Sequence, residues 1–148
     1  MNPIKNSVEN STTEWQLDPQ LARDTFPIGE LPLARVLGMN DANYPWLILV
    51  PRQPGAREIL DLPARQQEQL FDEIVMLSQV LKDVTGCDKL NIAAIGNVVA
   101  QLHVHIVARR KDDAAWPKPV WGAAPAQPYG DEAREKFIAS IRNEVAFG

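Results

Sequence analysis

Cysteine is nearly absent: the single residue, Cys87, excludes an internal disulfide and a cysteine-built zinc site, and a lone thiol suits a reducing compartment. There is no basic surplus either. Fifteen Lys+Arg stand against nineteen Asp+Glu, a net charge of −4, so the chain lacks the cationic field that holds polymeric nucleic acid or an anionic bilayer nonspecifically. A small phosphorylated ligand held by a local group of cations stays open. No apolar run approaches the ~20 residues of a membrane span. Met1 to Glu14 is polar, without the apolar stretch of a secretory signal, and the cytoplasm is the expected location. Repeats and low-complexity tracts are missing, and there are only two histidines.

What is present is an ordinary globular composition, 45 % hydrophobic and 23 % charged over 148 residues, enough for one core. Residues 1–16, rich in Asn, Ser and Thr, read as a loosely held arm, and 17–148 as a single domain. Asp18-Pro19 has the form of a helix start, N-cap followed by proline. That helix is short, because Phe26-Pro27-Ile28-Gly29 breaks its pattern. Leu33 to Met39 reads as a strand, closed by the turn-forming residues Asn40 to Pro45. Trp46 to Val50 is a second strand.

The clearest helix runs from Pro63 to Thr85, where Leu70, Ile74, Leu77, Leu81 and Val84 fall on one face, and Gly86 occupies the C-cap position. Leu90 to Ile95 reads as a third strand and Val98 to Ala108 as a fourth. In the fourth, Leu102, Val104, Ile106 and Ala108 alternate with Gln101, His103, His105 and Arg109, which predicts a core face and an open face. A C-terminal helix begins at Asp131, with Phe137, Ile138, Ile141 and Val145 on its apolar side.

Both histidines project from one side of one strand. Three readings compete: a nucleophilic imidazole with a partner, a metal site, and two residues facing solvent. A metal wants three or four ligands, and the neighbours here, Arg109, Arg110 and Lys111, oppose a divalent cation. The same cations suit phosphate oxygens, with Asn97 as a neutral hydrogen-bond partner, or else form a solvated strand end neutralised by Asp112 and Asp113.

The segment Asn97-Val-Val-Ala-Gln101-Leu-His103-Val-His105-Ile-Val-Ala-Arg109-Arg110 resembles the histidine triad (HIT) family, whose signature is His-φ-His-φ-His-φ-φ with φ apolar. The likeness extends backward through the long helix and the strand ending in Val50-Pro51 to Asp41. It implies an α+β fold, a five-stranded antiparallel sheet with a long central helix and a C-terminal helix. It also implies a homodimer with one ten-stranded sheet.

The implied chemistry resembles that of diadenosine polyphosphate hydrolases: nucleotide hydrolysis or nucleotidyl transfer that cleaves a phosphoanhydride or phosphoramidate at the α-phosphate through a nucleotidyl-histidine, with no cofactor and no metal. By position, His103 matches the nucleophile, His105 the third triad residue, and Gln101 stands where the first histidine belongs. The backbone carbonyl of Gln101 would orient His103. Asn97 falls at a phosphate-contacting position and Asp41 at one that accepts ribose hydroxyls, unless Asp41 only caps its own turn. The strand from Trp46 also lacks the Gly-His pair of many relatives. In the segment Trp116 to Gly122, the tryptophans either cap the core or place one, Trp121, at the partner protomer's site. The alternatives to an enzyme of this kind are a non-catalytic nucleotide-binding module and a metal-dependent enzyme built on His103 and His105.

Overall fold

The computed structural model describes residues 14–148, so most of the expected N-terminal arm, residues 1–13, lies outside the described residues. The chain runs α1 (Pro19–Asp24), β1 (Thr25–Glu30), β2 (Ala34–Met39), β3 (Trp46–Pro51), α2 (Ala64–Thr85), β4 (Lys89–Ala93), β5 (Val104–Arg109) and α3 (Asp131–Arg142). The strands form one antiparallel sheet in the order β1-β2-β3-β5-β4.

Local chemistry explains most of these elements. The Asp18 carboxylate accepts the Gln20 N–H at 2.8 Å, capping α1 ahead of Pro19. Helix α2 ends at Gly86, whose φ of 62° is the left-handed conformation that glycine adopts without a steric penalty. Strand β1 is the element the sequence reading missed, since Pro27 and Gly29 look like breakers. An outer strand tolerates proline, and the register slips between Pro27 and Gly29 in a bulge. Gly29 fits because a Cβ there would collide with the Phe147 ring.

Both faces of the sheet are covered. On one, α2 and α3 bury Leu70, Leu77, Leu81 and Ile141 against Val36, Leu49, Leu102, Val104 and Ile106. On the other, Leu21 of α1 and Ala115 and Val120 of the segment after β5 pack with Tyr44, Trp46, Ile48 and Val107. Every residue of β3 and β5 is consequently buried. This corrects two expectations about the fourth strand: it starts at Val104, not Val98, and its histidine-bearing face is not open. The period-2 alternation itself holds, with Leu102, Val104, Ile106 and Ala108 in the core beneath α2. A buried carboxylate, Glu73 of α2, ties the layers together by accepting the Leu33 and Ala34 N–H groups at 3.0 and 2.8 Å.

Candidate active site

His103 sits one residue before β5 and His105 inside it, so the extended backbone puts both rings on the side away from α2, with centroids 4.9 Å apart. They are 7 % and 5 % exposed. Nδ1–H of His103 donates to the carbonyl oxygen of Gln101 at 2.6 Å. A carbonyl is only an acceptor, so Nδ1 carries a proton, and in the neutral ring Nε2 is the nitrogen with the free lone pair. Nδ1 of His105 lies 3.0 Å from the indole Nε1 of Trp46. Burial, then the neighbouring His103, pushes the His105 pKa down to about 3, so its ring is neutral at physiological pH.

The two histidines border a cleft of about 440 Å³ whose walls include Leu21 and Asp24 of α1, Met39 of β2, Asn97 and Trp121. Trp121 approaches His105 edge-on at 5.1 Å and Trp46 at 5.8 Å. His103 also borders a second cavity of about 240 Å³, with Arg57, Glu58 and Leu102.

Gln101 does two separate things. Its backbone carbonyl holds His103, while its side chain turns away from the rings, Oε1 accepting the Asp18 N–H and Nε2 donating to the Gln16 carbonyl, both at 2.8 Å. The amide thereby anchors the residues that lead into α1, and α1 is a wall of the cleft. Nothing in the sequence pairs Gln101 with residues more than 80 positions away.

The other expected ligand contacts divide. Asn97 is exposed at the cleft. Asp41 is 5 % exposed and its Oδ1 accepts the Asn43 and Gln127 N–H groups at 3.0 and 3.2 Å, which is the turn-capping alternative. It borders a neighbouring pocket of about 430 Å³ that shares Asp24, Met39 and Trp121 with the histidine cleft.

Arg109 and Arg110 are not brought to the histidines. Arg109 is 1 % exposed, with its guanidinium donating to Asp113 at 2.7 and 3.0 Å, to Asn91 at 2.7 Å and to the Lys118 carbonyl at 2.8 Å. It lies between the rings of Tyr44 and Trp116. Burial alone would raise the Asp113 carboxyl, but hydrogen bonds from Arg109 and from the Arg110 and Ala115 backbone outweigh it and hold the pKa at about 2. Arg110 is exposed and donates to the Thr85 carbonyl at the end of α2. Arg109 therefore holds the 110–118 segment through Asp113 and Lys118, and neither arginine lines the histidine cleft. Trp116 caps Arg109, whereas Trp121 stands against His105 of its own chain.

Among the described residues, no group of three His, Cys, Asp or Glu side chains is arranged to hold a metal, so the pair lacks the further ligands such a centre needs.

Residues 20–112 match the HIT domain family. Among solved structures, the chain is similar to a histidine triad protein from Bradyrhizobium japonicum at 53 % identity, covering 90 % of this chain and 99 % of that one, with a TM-score of 0.89. A histidine triad protein from Marinobacter aquaeolei is 46 % identical over 88 % of this chain and 95 % of its own, TM-score 0.86. One from Sinorhizobium meliloti is 44 % identical over 88 % and 97 %, TM-score 0.87. No curated protein matches.

Proposed function

The chain belongs to the HIT domain family, whose members generally bind nucleotides and hydrolyse or transfer them, and on that premise we propose that it cleaves a nucleotide conjugate at the α-phosphate through a nucleotidyl-histidine on His103. The observation that carries this reading is the 2.6 Å hydrogen bond from His103 Nδ1 to the Gln101 carbonyl. It fixes the tautomer that leaves Nε2 free as a nucleophile, in a ring that borders the cleft. The conjugate is a phosphoanhydride, as in dinucleoside polyphosphates, or a phosphoramidate. With the arginines turned elsewhere, the phosphate's charge is met by the donors beside the nucleophile: His105 and the Asn97 amide. Asp41 and the pocket it borders are proposed to take the sugar, through the carboxylate oxygen not engaged by the turn.

Gln101 stands at the first triad position, and glutamine does not titrate, so no proton is shared through that residue. This favours, as a second reading, a module that binds nucleotide without turnover. Exposure to a panel of dinucleoside polyphosphates, aminoacyl adenylates and nucleoside phosphoramidates separates the two: product release supports the enzyme, and binding without product supports the module.

We further propose a homodimer. Strand β4 is one of the two outer strands of the sheet, and Ile92 on it and Phe71 and Val75 on α2 are 50 %, 66 % and 52 % exposed. Pairing β4 with its copy would join two five-stranded sheets into ten strands. Among the described residues no helix is long and apolar enough to cross a membrane. The single cysteine suits the cytoplasm as the place of action.

A further inference from the structure

Trp46 decides what kind of donor His105 is. An indole nitrogen donates and never accepts. Its Nε1 stands 3.0 Å from Nδ1 of His105, with both side chains buried and the ring centroids 5.6 Å apart. Nδ1 is therefore the acceptor, and the one proton of the neutral ring is on Nε2. Protonating Nδ1 as well would set two N–H groups against each other inside the protein, so the indole opposes the imidazolium in the same sense as burial does. The titratable groups bordering the same cleft are His103, whose Nδ1–H is committed to the Gln101 carbonyl, and Asp24, whose carboxylate accepts the Gln20 amide at 2.9 and 3.0 Å.

Resting on the nucleotidyl-transfer reading above, we propose that Trp46 is a positioning residue that locks His105 as a neutral Nε2–H donor, and that the site serves leaving groups that depart as oxyanions, those of phosphoanhydrides and acyl phosphates, in preference to amines. In the first step the lone pair of His103 Nε2 forms the N–P bond while the P–O bond breaks and its electron pair stays on the leaving oxygen. The nucleotidylated ring carries the positive charge, with its Nδ1–H on the Gln101 carbonyl. A departing phosphate or carboxylate is stable as an anion and needs only the hydrogen bond that His105 Nε2–H supplies. An amine must take a proton as its P–N bond breaks. The locked, neutral His105 holds its N–H too tightly to give it, and His103 has none free. In the second step water oxygen bonds to phosphorus, the N–P pair returns to His103 Nε2, and the water's proton passes to solvent.

The chain has only two histidines, so long-range ¹H–¹⁵N spectra resolve both rings without crowding. The wild-type protein is expected to show His105 as a single Nε2–H tautomer, neutral at pH 5, and Trp46→Phe to show mixed tautomers and a ring that begins to protonate there. In parallel, kcat/KM is compared for a dinucleoside polyphosphate and for the same nucleotide linked to an alkylamine. The wild type is expected to prefer the anhydride at least tenfold, and Trp46→Phe to narrow that preference severalfold. A wild-type His105 carrying its proton on Nδ1, or titrating near 6.5 as a free imidazole does, would overturn the proposal, as would equal rates on the two substrates. If Trp46→Phe does not fold, the wild-type spectrum and the wild-type substrate ratio still decide. Cleavage of neither substrate, with His105 found as Nε2–H, would overturn the hydrolase reading and the leaving-group preference while supporting the positioning role of Trp46.

Discussion

The side-chain oxygen of Gln101 accepts the backbone N–H of Asp18 at 2.8 Å, joining the residue that orients the nucleophile to the N-cap of the helix that walls the cleft. Gln101→Ala would keep the carbonyl that orients His103 and lose this anchor together with the bond to Gln16. The expected result is a KM, or a nucleotide Kd, raised severalfold with kcat changed less, and a stability loss of about 1–2 kcal/mol for two partly exposed hydrogen bonds. Gln101→His should behave the same way. An imidazole does not have the geometry of the amide that serves Asp18 and Gln16 together, and Trp46 already occupies Nδ1 of His105, so a gain in turnover in that variant would contradict this role for Gln101. Steady-state kinetics and a denaturant titration check both.

Arg109 and Arg110 separate structure from function by their stability effects. Arg109→Ala leaves the buried Asp113 carboxylate without its partner and is expected to cost on the order of 3–5 kcal/mol. Arg110→Ala, on an exposed side chain, should stay within about 0.5 kcal/mol. Neither should specifically weaken nucleotide binding in protein that is still folded, as measured by titration calorimetry below the midpoint of unfolding.

The depressed pKa of His105 has a definite consequence for pH. Its folded value of about 3 lies below the 6.5 of an unfolded histidine, so the unfolded chain binds more protons between those limits. The stability this histidine leaves intact is full above pH 6.5 and falls as pH drops toward 3. From pH 6.5 to 4 its share is at most about 3 kcal/mol. Asp113, held at about 2, contributes in the same direction but lower, its stabilisation present above the unfolded value of 3.8 and lost as pH falls through 2. Denaturant midpoints against pH should therefore fall less steeply between pH 6.5 and 4 for His105→Gln than for the wild type.

For the proposed dimer, Phe71 and Ile92 are the residues to change. Phe71→Glu or Ile92→Glu places a charge in the apolar face and should shift the particle from two chains to one by light scattering. A wild-type protein that is monomeric at high micromolar concentration would remove the ten-stranded sheet from the account.

Much of the fold was legible because it rests on local pattern: the spacing of Leu70, Ile74, Leu77 and Leu81, the Asp18-Pro19 start, and Gly86 as a stop. Strand β1 was hidden because Pro27 and Gly29 are tolerated only by an outer, bulged strand, a fact of sheet order that local sequence does not carry. The histidine pair followed from spacing, and the backbone bond from Gln101 from the resemblance to the HIT family. The side-chain partners did not. Arg109 next to a histidine motif looks like a phosphate ligand until Asn91, Asp113 and the Lys118 carbonyl are seen around it. Trp46 and His105 meet because Trp46 pairs with Val107 and Ile48 with His105 on one face of β3 and β5, which is a matter of register.

Turnover through His103 requires a covalent bond between its Nε2 and a nucleotide. The direct measurement is intact mass of the protein mixed with a dinucleoside polyphosphate in EDTA and quenched in alkali over milliseconds to minutes, alongside His103→Ala. The wild type is expected to gain one nucleotidyl group transiently, and His103→Ala to show no gain and a fall in hydrolysis of about a thousandfold or more, on the order expected when a nucleophile is removed. Hydrolysis by His103→Ala at the wild-type rate, or an adduct that survives that substitution, would contradict this role for His103.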